Sequence, residues 1–82
     1  MIAYLSGQVI HKQKDYIILQ VNNIGYKVFL PSLLHAQTQV QDFKELFIHQ
    51  YIKEDALDLY GFSSLEELQL FELLISVSGM GP

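Results

Sequence analysis

The longest run of adjacent charged residues in this sequence is Lys53-Glu54-Asp55, followed three positions on by Asp58. Two neighbouring carboxylates repel anions, but acid/base catalysis needs a couple held at defined separation. Neither Asp58 nor Glu45 completes one recognisably. An Asp in such a stretch also suits an ordinary hairpin turn with solvated charge. His11, His35 and His49 share no spacing that suits a common metal site, and the chain has no cysteine to complete one. They read as surface or satisfied histidines. No Ser, His and Asp set is recognisable, and no Gly-rich loop ending in Lys-Ser or Lys-Thr offers a seat for ATP. The expectation is no catalytic residue, no metal and no cofactor. Tyr4, Tyr16, Tyr26, Tyr51 and Tyr60 could stack unpaired bases, although tyrosines in strands more often pack in a core or an interface.

The elements that position these residues belong to one small chain. With 82 residues there is room for a single core, and the absence of cysteine leaves packing or self-association to stabilise it. Apolar runs such as Tyr16 to Leu19 are far shorter than the roughly 20 residues a membrane span needs. The opening Met1-Ile2-Ala3-Tyr4-Leu5 has no secretory pattern. A cytoplasmic protein without membrane contact is therefore expected. Nine acidic residues against five lysines and no arginine give a formal charge of −4, the wrong balance for a self-sufficient nucleic-acid binder. Composition alone favours a protein-protein module.

Ile2 to Ile10, with Gly7 in its middle, reads as a bent first strand. Tyr16 to Val21 is rich in β-branched and aromatic residues. Asn22-Asn23-Ile24-Gly25 then supplies a turn before Tyr26 to Leu30 resumes the pattern. Pro31 ends that strand, and Ser32 to Ala36 can make one helical turn. Glu45 to Ile52 and Ala56 to Tyr60 pair around the Lys53-Glu54-Asp55 tip. Beyond Gly61-Phe62, Leu65, Leu68, Phe71, Leu74 and Ile75 recur at helical spacing. Ser63 and Ser64 each have a glutamate three residues on, so a capping box starts the helix near Ser64, and Gly79 suits its end. Five short strands and a helical turn between the third and fourth predict a mainly β fold, a five-stranded OB barrel followed by one C-terminal helix; an SH3-like barrel is the competitor.

The segment Tyr51-Ile52-Lys53-Glu54-Asp55-Ala56-Leu57-Asp58-Leu59-Tyr60-Gly61-Phe62 resembles the most recognisable stretch of the RuvA family, proteins that grip four-way Holliday junctions. The opening Met1-Ile2 with Leu5 and Gly7, the run Ile24-Gly25-Tyr26-Lys27-Val28, and Leu74-Ile75-Ser76-Val77-Ser78-Gly79-Met80-Gly81-Pro82 align with it in order. The resemblance covers the whole chain. It implies that residues 1–62 form an OB domain through which subunits assemble as a homotetramer, with the octamer left open. Residues 63–82 would then begin a truncated helix-hairpin-helix domain that binds DNA backbone. A RuvB-like ATPase motor would act through a further domain that lies outside this chain.

The resemblance also assigns roles. Glu54 and Asp55 match the family's acidic pin, whose carboxylates surround the centre of the junction. A carboxylate about 4 Å from a phosphate costs roughly 1 kcal/mol in water and roughly 4 kcal/mol near a protein surface. Such a pin would tune geometry and migration rate while lowering affinity. Gly79, Met80 and Gly81 match a hairpin turn whose backbone N–H groups face a phosphate. Lys53 is a candidate phosphate contact beside the pin. The implied function is that of a non-catalytic subunit of an ATP-dependent helicase complex, serving recombination, repair and the SOS response to DNA damage. A stand-alone OB module for single-stranded nucleic acid and a purely structural interaction domain are the alternatives.

Overall fold

A computed structural model describes residues 1–78. Five strands, β1 (Tyr4–Lys12), β2 (Tyr16–Val21), β3 (Ile24–Phe29), β4 (Phe43–Ile52) and β5 (Leu57–Phe62), close into a barrel in the order β1-β2-β3-β5-β4. A short helix, α1 (Ser32–Gln37), links β3 to β4, and α2 (Leu65–Ser78) follows β5. The ladders are antiparallel except for β3 against β5, where Val28 pairs with Leu59 and Phe29 with Tyr60 in parallel. A five-stranded barrel closed this way, with a helix between its third and fourth strands, is the expected OB arrangement and not the SH3-like competitor.

Alternation builds the interior. On β2, Ile17 and Leu19 are fully buried while Tyr16, Ile18 and Gln20 point outward, the period-two signature of a half-buried strand. Leu5, Val9, Val28, Leu30, Leu46, Ile48 and Leu59 complete the core. Thr38, the one buried polar side chain among the described residues, donates its hydroxyl to the Leu34 carbonyl at 2.7 Å.

β1 serves two neighbours, pairing with β4 through Tyr4 to Gln8 and with β2 through Gln8 to Lys12. Gly7 sits where it changes partner. A Cβ there would lie 2.1 Å from the Gln20 carbonyl oxygen, so only glycine lets the β2 backbone approach. The ladder irregularity itself falls later, between Val9 and His11. Ile2 and Ala3 lie outside the strand and make isolated bonds. The Ile2 amide donates to Gln50 Oε1 at 3.0 Å, and the Ala3 carbonyl accepts from the Ile48 amide at 2.9 Å.

The β2–β3 turn is tighter than the four residues expected. Val21 pairs with Ile24, leaving Asn22 and Asn23 as a two-residue loop with φ of 49° and 67°. Positive φ at both positions matches the strand twist, and Asn tolerates it. At the other end, Ser64 Oγ accepts the Glu67 amide at 3.2 Å and donates to Glu67 Oε1 at 3.2 Å, while Ser63 Oγ also donates to that carboxylate. The cap thus forms at Ser64, as expected.

Candidate functional site

The β4–β5 hairpin carries the acidic run away from the barrel. Its ladder extends from Phe47 opposite Phe62 to Ile52 opposite Leu57. The Lys53 amide then donates to the Ala56 carbonyl at 2.7 Å, leaving Glu54 and Asp55 at the tip. Every residue from Ile52 to Leu57 is exposed. Among the described residues neither Glu54 nor Asp55 has a hydrogen-bond or ion-pair partner.

Lys53 does not neutralise that tip. Its ammonium turns back to Asp58 Oδ2 at 3.2 Å and lies 5.6 Å from the Tyr51 ring centroid. The hydrogen bond to Asp58, and then that carboxylate's charge, hold the Lys53 ammonium above the ordinary lysine value. Asp58, which sequence reasoning left without a role, is thus what withdraws the Lys53 cation from the tip. No local spacing rule reveals this, because the two residues meet only when the hairpin register places Asp58 opposite Tyr51.

Behind the tip, the outer face of the hairpin is aromatic. Tyr60 stacks with Phe29 at a centroid distance of 5.5 Å, and Phe29 meets Tyr16 edge-on at 5.9 Å. Lys27 Nζ sits 4.4 Å from the Tyr16 centroid. Burial, and then the Asp58 charge, push the Tyr60 phenol up, keeping it protonated at neutral pH. Tyr4 packs on Phe47 at 5.4 Å and donates to Glu45 Oε2 at 2.7 Å, which pushes its own phenol up. Tyr26 lies against the core. These rings are engaged mainly with one another and with the barrel.

The seat of α2 is the part of this face that sequence reasoning missed. Phe71 lies 4.9 Å from Phe62, 6.0 Å from Tyr60 and 5.4 Å from His49, ring centre to ring centre. An apolar cavity of about 390 Å³ opens beside it, lined by Asp15, Phe29, Leu30, Pro31, Tyr60, Phe62 and Phe71. His49, expected to be a surface or satisfied histidine, is satisfied by Glu72 Oε2 at 3.0 Å. His11 meets Gln13 Nε2 at 2.6 Å, and His35 meets the Gln13 carbonyl. The expected inward face of α2 holds only in part. Leu68 is buried, but Leu65 and Leu74 are 48% and 58% exposed, because the helix rests on β4 and β5 along one narrow line.

Residues 1–61 match the family described as RuvA N terminal domain. The chain belongs to that family. Over its whole length it is 49% identical to the Holliday junction branch migration complex subunit RuvA of Halothermothrix orenii. It is also 49% identical to the protein of that name from Geotalea daltonii, and 46% identical to that from Geobacter sulfurreducens. The chain spans about 42% of the length of these relatives. The match takes in the barrel and the β4–β5 hairpin up to Gly61, with Phe62 and α2 beyond it. Gly79, Met80 and Gly81 lie outside the described residues. Among the described residues no helix is long and apolar enough to cross a membrane.

Proposed function

We propose that this chain is the assembling, junction-facing part of a cytoplasmic, non-catalytic RuvA-type subunit. That subunit binds four-way Holliday junction DNA and works with an ATP-driven RuvB-like motor in branch migration during recombination and repair. The observation that carries the reading is the hairpin tip. Glu54 and Asp55 are exposed and unpartnered at the end of a closed barrel, in a chain of the RuvA N-terminal domain family. On this reading residues 1–62 are the OB assembly domain, and residues 63–82 open a helix-hairpin-helix domain in which Gly79, Met80 and Gly81 are the candidate DNA-backbone contacts.

In a four-fold assembly the tips would bring four carboxylate pairs around the junction centre. Repulsion of roughly 1 to 4 kcal/mol per close carboxylate–phosphate contact would disfavour continuous duplex there. Cations elsewhere in the protein would supply the grip, which accords with the net charge of −4 on this part. Lys53 already shares its ammonium with Asp58, so its contribution to phosphate binding is secondary to the pin.

Gel filtration with light scattering tests the assembly, and the expected result is a tetramer or a pair of tetramers. A strictly monomeric species at high concentration contradicts it. Junction binding by these 82 residues alone should be weak and salt-sensitive, with the full-length gene product binding far more tightly. Tight binding by the short chain at physiological salt contradicts the proposed division of labour.

A further inference from the structure

We infer that His49 is a positioning residue that fixes the direction in which α2 leaves the barrel, and hence the placement of α2 relative to the Glu54–Asp55 tip. Its consequence for DNA rests on the function proposed above. The geometric part stands on the barrel alone.

α2 needs such a fixing point. A 14-residue helix is marginal by itself in water, and among the described side chains of α2 only Leu68 is buried. Two strands hold it. From β5, Phe62 and Tyr60 flank the Phe71 ring; from β4, His49 meets the same ring near-perpendicularly, at 70° between planes. With Leu68 and Phe71 seated on one line, α2 would remain free to roll about that line. His49 adds a contact on the second strand and a directional bond, its Nδ1 donating to Glu72 Oε2 at 3.0 Å. Glu72 is the next residue after Phe71, so ring and carboxylate together define how α2 is rotated as well as where it sits. The His49 side chain is 18% exposed and Glu72 47%, which puts the bond at the rim of the seat, partly shielded from water.

The same strand face leads to the pin. His49 lies opposite Tyr60, and Tyr51, on the same face, lies opposite Asp58, where Lys53 docks. From His49 to Glu54 is five residues of β-hairpin, roughly 17 Å. One paired ladder therefore carries the helix seat at one end and the acidic tip at the other. In a protein whose DNA-binding helices continue from α2, His49 would set how far the pin stands from the bound arms.

The chain has no cysteine, so thiols introduced by Ala56→Cys and Gln69→Cys take spin labels on the tip and on α2 without competition. Pulsed dipolar spectroscopy, with labelled chains diluted in unlabelled ones, should give one narrow distance peak. His49→Ala should abolish that narrow peak while barrel stability and assembly state stay put. Glu72→Ala should do the same, whereas Glu72→Gln, which keeps an acceptor for Nδ1, should preserve it. A purely structural role would not separate Gln from Ala at this site. If His49→Ala lowers the melting temperature of the barrel, Glu72→Ala on the helix surface carries the test. An unchanged narrow peak in Glu72→Ala overturns the inference. In the full-length protein His49→Ala should weaken junction binding by about three- to tenfold through lost preorganisation. If the wild-type full-length protein does not bind junctions at all, the function proposed above falls, and the distance measurement still decides the role of His49.

Discussion

The barrel and the two features that protrude from it, the 53–56 tip and α2, are built on different terms. Inside the barrel every strand has two neighbours, and Val9, Ile17, Leu19 and Val28 have no exposed surface. The tip has two unpartnered carboxylates. α2 buries Leu68 but leaves Leu70, Leu73, Leu74 and Val77 more than half exposed. Stability is thus concentrated in one region, while the groups free to meet a partner lie in the others. Substitutions in the barrel should cost folding, and substitutions in the protrusions should change behaviour while leaving the barrel intact.

Leu19→Ala should have the largest effect, a loss of about 2–5 kcal/mol typical of emptying a packed site, read from the urea midpoint. A loss under about 0.5 kcal/mol would mean that the core does not carry the fold. Leu68→Ala comes next. It should remove about 2 kcal/mol of helix docking, seen as faster amide exchange in α2 with β1 to β5 still protected. Equal loss of protection in barrel and helix would erase the distinction between the two regions. Ser64→Ala removes the acceptor of the Glu67 amide and should cost about 1 kcal/mol, again confined to the start of α2.

The smallest effect belongs to the Lys53–Asp58 pair. The lysine's folded value is raised, so its contribution is fully present below the ordinary lysine value and is lost only as pH rises through the elevated one. The pair should hold throughout the neutral range. An NMR titration should place the Lys53 midpoint above the ordinary lysine value, and Asp58→Asn should bring it back toward that value. A midpoint unmoved by Asp58→Asn would show that the ammonium is not turned away from the tip.

Much of the barrel was legible because its signals are local. The β-branched runs around Asn22-Asn23 fix a hairpin by residue type, but Tyr16 to Leu19 is apolar throughout, so it is closure of the barrel that selects Ile17 and Leu19 as interior. Strand limits were less legible. β4 begins at Phe43, two residues before the expected Glu45, because Phe43 and Lys44 are recruited by pairing with Gln8 and Gly7 of a distant strand. Glu54 and Asp55 were legible as a charged turn, but their isolation was not, since it depends on Asp58 capturing Lys53 across the hairpin. The seat of α2 was hidden for a similar reason. Helical periodicity marks Leu65 and Leu74 as inward, yet the helix meets the barrel along the narrow line of Leu68, Phe71 and Glu72. No periodicity in the chain announces that His49 waits there.

The most direct test is the charge of the tip itself. In the full-length protein, Glu54→Gln with Asp55→Asn should leave assembly unchanged, tighten junction binding and alter the motor-driven branch-migration rate. Migration and binding identical to wild type would contradict the claim that these two carboxylates act on the junction.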